Sequence, residues 1–249
     1  MSQSLTDNNP EAVRSVGRTS PANRARQREG VFWASSSMRV VEADLASAFE
    51  CNLNVMITGE RGVGKASIAE RVRRRGRRAA GRCVIARSPG VLDSLEKLER
   101  ALEDASIIQI EGPERMAPMI QARLLEFIER QMIDVRFITV SQTNLFELAQ
   151  CDEFSEPLFY RLNPIHLIIP PLRDRPEDIP VLLRYFMSLP AHASLPFLSR
   201  AAWHRIVTYE WPGNIRELRA MAEGLRSRGP GRFLDLDDLP AELRSPGGR

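Results

Sequence analysis

"GERGVGKAS", residues 59–67, is the stretch on which the reading of this chain turns. Gly59, Gly62, Gly64 and Lys65 follow the spacing of a phosphate-binding loop. In such a loop backbone N–H groups of the turn and of the following helix converge on an anion, and the lysine neutralises its charge. The neighbours supply the required context. "LNVMIT" before it is a short apolar run ending at glycine. "KASIAERVRRRGRR" beginning at its lysine is amphipathic, with Ile68 and Val72 four residues apart and inward. Strand, loop and helix therefore occur in the order that a nucleotide site needs, with a ligand-free glycine turn as the competing reading. Ala66 stands where a Ser or Thr would hold magnesium, so the loop both invites nucleotide binding and weakens its metal side.

Of the 35 basic residues only Lys65 and Lys97 are lysines. A compact ammonium reaches β- and γ-phosphates as a point charge where a planar guanidinium does not fit, so a lysine inside the glycine loop of so arginine-rich a chain carries weight. At 249 residues, 43% hydrophobic and 27% charged, the chain has enough apolar surface for a sizeable core, and a net charge of +3 does not mark a polyanion binder. Cys51, Cys83 and Cys151 are odd in number and form no CxxC pair. His166, His192 and His204 lack metal-ligand spacing, so neither a disulfide framework nor a zinc site is expected. His204 beside Trp203 reads as a core or surface pair. No apolar run approaches the roughly 18 residues needed to cross a bilayer, and the N-terminus lacks the apolar centre of a signal peptide; a reducing cytoplasm is the expected location.

Residues 1–28 are poor in large apolar groups and read as a disordered arm. From there the pattern alternates. A helix with Met38, Val41, Leu45 and Phe49 on one side precedes the "LNVMITG" strand. "RCVIARS" is a second strand, a helix is expected over 91–102, and "SIIQIEG" is a third strand. "MIQARLLEFIER" is a strongly periodic helix and "DVRFITVSQT" a fourth strand. Alternation on this scale predicts an α/β fold, a parallel sheet with helices on both faces, over residues 29–170. Beyond "NPIHLIIPPL" prolines punctuate short helical segments and the strand pattern stops, so 171–243 is expected to form a small helical lid and 244–249 a tail.

The third strand ends in Glu111, where a magnesium-coordinating carboxylate would stand at the carboxyl end of a sheet strand. A capping or solvated glutamate is an equal reading. Only this acid is assigned there, and Gly112 beside it can neither accept a proton nor hold a water in line. Arginines 71, 73, 74, 75, 77, 78 and 82, with only Glu70 nearby in sequence, form the one strongly basic stretch. No aromatic residue is interleaved to stack bases, and a solvated helix end is preferred over a nucleic-acid contact.

From about residue 31 to 243 the chain resembles the AAA+ domain of the bacterial enhancer-binding activators that work with sigma-54. "VMITGERGVGKASIAERV" is similar to that family's P-loop segment, "QARLLEFIE" to the helix after its Walker B strand and "DVRFITVSQTNL" to its sensor I strand. "FSEPLFYRLNPIHLIIPPLRDRPEDIPVLLRYF" resembles the segment that carries the arginine fingers and begins the lid, and "YEWPGNIRELRAM" resembles the sensor II stretch. The resemblance implies a P-loop NTPase of AAA+ type with ATP as ligand and Mg2+ accompanying it. Gly59, Glu60, Arg61, Gly62, Val63, Gly64, Lys65, Ala66 and Ser67 fall on the phosphate loop, and Gln142 falls at sensor I in place of asparagine. Arg216 falls on the sensor II arginine that senses the γ-phosphate from the lid. Arg161 in "YRLN" matches one of two intersubunit arginine fingers, while Ser155 occupies the other position. Glu111 takes the place of the Walker B aspartate, as the catalytic and metal carboxylate, and Gly112 that of the catalytic glutamate.

The segment between "CVIARSP" and "SIIQIEG" is shorter than the family's, and the GAFTGA loop that grips the sigma factor has no counterpart. Nor is a receiver expected in the first 30 residues, or a helix-turn-helix after "LPAELRSPGGR". The resemblance therefore implies a nucleotide-binding regulator with weak or lost hydrolysis that acts through assembly, as a homo-oligomer or a mixed ring with related AAA+ proteins. Contact with sigma-54 itself and with nucleic acid is not expected. Two alternatives stand beside it: a slow but genuine ATPase, and a nucleotide-free binding module.

Overall fold

Ser35 opens the first helix among the described residues: its side chain accepts from the Met38 amide, and α1 (Ser36–Glu50) buries Met38, Val41, Leu45 and Ala48. Phe49 is only partly buried against the same core. The computed structural model describes residues 33–87, 91–130, 134–189, 198–228 and 233–244. The expected arm at 1–28, and the tail after residue 244, lie outside them.

After α1 the elements alternate as far as the fifth strand. Strand β1 (Val55–Thr58) leads through the glycine loop to α2 (Lys65–Arg75), which stops at Gly76. Strand β2 (Cys83–Arg87), helix α3 (Leu95–Asp104), strand β3 (Ile107–Glu111), helix α4 (Pro118–Glu129) and strand β4 (Arg136–Ser141) follow. Two short helices, α5 (Leu145–Gln150) and α6 (Glu156–Leu162), precede β5 (Ile165–Ile168). The remaining helices are α7 (Ile179–Phe186), α8 (Arg200–Thr208), α9 (Asn214–Arg226) and α10 (Ala241–Arg244).

The helix expected over 91–102 starts later. Residues Val91–Asp93 form a single 3-10 turn, and Ser94, extended at φ −142°, ψ 132°, separates it from α3. Strand β5 lies inside "NPIHLIIPPL", the stretch beyond which the strand pattern stops; no strand was assigned there, because the run holding Ile165, Leu167 and Ile168 is only four residues long between Pro164 and the Pro170–Pro171 pair.

The sheet runs β2-β3-β4-β1-β5 with every neighbouring pair parallel. Because strand residues alternate between faces, it divides the core into two layers. Met56, Ile108, Ile110 and Phe137 pack with Leu98, Leu124, Leu145 and Leu158 on one side. Val55, Ile57, Ile107, Ile138 and Leu167 pack with Met38, Leu45, Ile68 and Val72 on the other. Helices therefore cover both faces, as the alternation predicts. Each of these side chains contributes about 1.5–3 kcal/mol relative to exposure, and together they hold the carboxyl ends of the strands, where the glycine loop hangs, in fixed register.

The arginines around the end of α2 have partners from other elements as well as Glu70. Arg71 pairs with Glu42 at 2.5 Å and 2.7 Å, Arg73 and Arg74 share Glu70, and Arg78 pairs with Asp134. Arg136, 1% exposed at the start of β4, donates to the carbonyls of Ala48 and Leu53 and so closes the end of α1. All three cysteines are free. Among the described residues no helix is long and apolar enough to cross a membrane.

Candidate functional site

Thr58, the last residue of β1, stands in register with Ser141 of β4 on one side and Ile168 of β5 on the other. The chain then leaves the carboxyl edge of the sheet, where ligands of open α/β sheets sit. Gly59, Gly62 and Gly64 adopt φ of 147°, 85° and 106°. Two of them are also sterically required. A Cβ at Gly59 would stand 2.6 Å from the Ile169 carbonyl oxygen, and one at Gly62 would stand 2.3 Å from that of Gly213.

Lys65 opens α2 and turns back over the loop, donating from Nζ to the carbonyls of Gly59 at 2.6 Å and Glu60 at 2.8 Å. It is 8% exposed. Burial lowers its pKa below that of a free lysine, opposed by the negative charge of Glu114 and reinforced by Arg216. No acidic residue occupies the first turn of α2. A buried ammonium beside a helix N-terminus and a left-handed glycine turn makes an anion cradle. Ala66 and Ser67 are exposed on that turn, Arg61 is exposed, and Val63 is buried.

A second set of residues, to which sequence reasoning assigned no role, clamps this loop. The Glu60 carboxylate receives both Nη atoms of Arg173, at 2.5 Å and 3.0 Å, and Nδ2 of Asn214 at 3.1 Å. These hydrogen bonds, Arg173 first, hold its pKa below the ordinary value. Asn214, fully buried with φ 52°, also donates to the Arg61 carbonyl and accepts from the Leu172 amide. Arg175, fully buried, donates to the Val63 carbonyl at 3.0 Å and lies over the Trp33 ring at 5.2 Å. Asp178 accepts from the amides of Ala34 and Ser35 and from the Ser35 hydroxyl, anchoring the start of α1. The polar residues of "LRDRPED" thus serve the loop and the helix behind it. Arg173 and Asn214 lay inside quoted motifs, and only their type and neighbours could have marked them.

Arg216 projects from the first turn of α9, exposed, and a Cβ at Gly62 would stand 3.4 Å from its own Cβ. It therefore approaches the glycine loop from 154 residues downstream. Arg161 does not: it lies at the end of α6, its carbonyl accepts from Asn54 before β1, and its guanidinium stands 3.6 Å from Glu129. That is the opposite end of β1 from the loop, and the side chain is 56% exposed. Ser155 caps α6, accepting from the Leu158 amide. Gln142 is exposed in the turn after β4.

Glu111 leans toward β2, away from β1. Arg87 donates to it at 2.5 Å and 3.1 Å, and Gln109 donates to Oε1 at 2.7 Å. Both oxygens are thus engaged by cationic or amide donors, which does not fit a magnesium ligand. Among the described residues no cluster of three His, Cys, Asp or Glu side chains is placed to hold a metal ion. The acid that sequence reasoning passed over is Glu114, whose Oε2 accepts from the Ser141 hydroxyl at 3.1 Å. A turn after β3 brings it there, and strand patterning carries no record of such a turn.

Residues 32–172 match the model of the Sigma-54 interaction domain and residues 173–248 that of the AAA+ ATPase lid domain. The chain is 30% identical over 247 residues to the regulatory protein AtoC of Escherichia coli, covering 85% of this chain and 53% of that protein. It is likewise 30% identical to the DNA-binding transcriptional regulator NtrC of a Bradyrhizobium species, covering 85% of this chain and 51% of that protein. The crystal structure of Brucella abortus NtrX in complex with ATP superposes with a TM-score of 0.73 at 27% identity, covering 89% of this chain and 59% of that one; NtrX was also crystallised with ADP. The chain spans about half the length of the curated relatives it matches. By the match over 32–172 and the P-loop sheet that carries it, the chain belongs to the Sigma-54 interaction domain family of AAA+ proteins, which are homologous to transcriptional regulators.

Proposed function

We propose that this chain is a nucleotide-binding AAA+ module of transcription regulation, held in the cytoplasm, which binds ATP on residues 59–67 and acts through nucleotide-dependent assembly. The observation that carries this reading is Lys65: a buried ammonium folded onto the loop carbonyls, released to a polyphosphate that would replace them. The relative crystallised with ATP supports it. Arg216, already against the loop, is assigned to the γ-phosphate from the same subunit. Arg161, at the far end of β1, is assigned to the nucleotide of a neighbouring copy or of a related AAA+ protein. Magnesium would arrive with the triphosphate, since Ala66 offers no hydroxyl and Glu111 is engaged. The same geometry supports hydrolysis slower than that of a site with two free carboxylates.

The test couples binding to assembly. Wild type should bind ATP by calorimetry and change its mass in light scattering when it does. Lys65→Ala should lose both, and Arg161→Ala should keep binding and lose only the change in mass. A mass insensitive to ATP in the wild type would overturn the assembly reading; equal binding by Lys65→Ala would overturn the site.

A further inference from the structure

We propose that Glu114, not Glu111, is the carboxylate that faces the terminal phosphate of a bound nucleoside triphosphate and orients the attacking water. The inference rests on nucleotide binding at residues 59–67 as proposed above.

Sheet order sets the problem. Strand β4 stands between β3 and β1, so a carboxylate at the end of β3 must cross β4 to reach the loop on β1. Glu111 goes the other way, paired with Arg87 on β2. Gly112 then takes φ 71°, and its N–H donates to the Val140 carbonyl at 3.0 Å, which bends the chain across the end of β4. One 3-10 turn, Pro113–Arg115, follows. It brings Glu114 Oε2 to 3.1 Å from the hydroxyl of Ser141, whose proton the Thr143 carbonyl at 2.8 Å shares; Ser141 is the β4 residue in register with Thr58, one position before Gly59. Gly112 thus sits where an acidic side chain would extend from β3, and its left-handed turn supplies the displacement that brings a later acid to the same side of the site. That Glu114 exerts the largest opposing field on the buried Lys65 agrees with this placement.

In the step so assigned, the water oxygen bonds to the γ-phosphorus as the bond from that phosphorus to the β,γ-bridging oxygen breaks. The water's proton passes to the Glu114 carboxylate and from it to the released phosphate, and the nucleoside diphosphate leaves with the electron pair. Glu114 is the group for the proton; Ser141 positions it.

The experiment uses the full chain with two readouts: affinity for a fluorescent ATP analogue in EDTA, and phosphate release from Mg-ATP in a single turnover. Glu114→Gln removes a negative charge beside the polyphosphate, so metal-free affinity should rise roughly three- to tenfold. Phosphate release should fall on the order of 100-fold or more, to the level of Lys65→Ala. Tighter binding also reports that the variant is folded, and a purely structural glutamate would not produce it. Glu111→Gln should cost at least roughly tenfold less in release than Glu114→Gln, a difference of about 1.4 kcal/mol. A larger loss at Glu111→Gln, or a wild type that binds the analogue but releases no phosphate above Lys65→Ala, would overturn the inference while leaving nucleotide binding intact. A wild type that fails to bind the analogue would overturn the underlying reading and this one with it.

Discussion

Asn214 Nδ2 donates to Glu60 Oε2 at 3.1 Å, joining the start of α9 to the phosphate loop across 154 positions of chain. Through the same side chain the Arg61 carbonyl and the Leu172 amide are also satisfied. Loop geometry and lid position are therefore one structural unit rather than two, and nucleotide affinity should respond to changes far from the glycines.

Asn214→Ala should destabilise the protein by about 2–4 kcal/mol. Buried partners left unpaired cost about 1–3 kcal/mol, and Ala lacks the short polar side chain whose local hydrogen bonds let Asn adopt φ 52°, which adds roughly 1 more. Asn214→Gly, which tolerates the backbone, should cost only the first part. Urea denaturation of the two variants separates the contributions, and equal losses would show that the side-chain bonds dominate alone.

Two glycines give opposite expectations. Gly62→Ala forces a Cβ to within 2.3 Å of the Gly213 carbonyl at φ 85° and should lose about 1–3 kcal/mol of stability together with ATP binding. Gly224, inside α9, has nothing within 4 Å of an added Cβ. Gly224→Ala should raise stability by about 0.4–1 kcal/mol. Melting curves of both variants check the pair.

Arg175 is buried in an incomplete shell: Nε and Nη1 lack hydrogen-bond partners, and burial pushes its pKa down to about 10. It is nonetheless charged at neutral pH, holds the Val63 carbonyl and stands 3.9 Å from Asp178. Arg175→Ala should cost about 3–5 kcal/mol, because it empties a packed site and removes the cation from a buried acid. Arg175→Met keeps most of the volume and should cost less than Ala in thermal unfolding. Equal losses in the two variants would mean that charge rather than packing sets the cost, since both remove the cation and only Met keeps the volume.

Lys65 predicts the pH dependence. Its folded pKa lies below that of the free side chain because burial disfavours the ammonium. The resulting stability contribution is present above the unfolded value of about 10.4 and is lost as pH falls through the lowered folded value. Binding runs the other way. ATP affinity should hold steady through neutral pH and fall on the alkaline side at a lower pH than an ordinary lysine would allow, while residual binding by Lys65→Ala should show no such fall. Calorimetric titration across alkaline pH measures it.

Much of the architecture was legible because it rests on local chemistry. Ile68 and Val72 four apart, the alternation of "LNVMIT" and "RFITVS" with helices, and the glycine spacing each report a backbone state to which their own residues are suited. Strand β5 was not assigned because its four residues, though mostly apolar, are too short a run between Pro164 and Pro170 to show a period. The split of the helix expected over 91–102 escaped because the extended backbone at Ser94 is not dictated by side-chain pattern.

By itself the sequence determined that a lysine-bearing glycine loop joins a buried strand to a helix, and that a parallel sheet surrounds it, since conformational freedom and hydrophobic periodicity are properties of neighbouring residues. Which side chains complete the loop was decided only by tertiary structure. Arg173, Arg175 and Asn214 reach it from more than 100 positions away, and Glu111 and Glu114, three residues apart, are sent to opposite sides by one left-handed glycine and by the strand order β3-β4-β1. Electrostatic and hydrogen-bond partnerships depend on distance in space, and that distance exists only once the sheet has assembled.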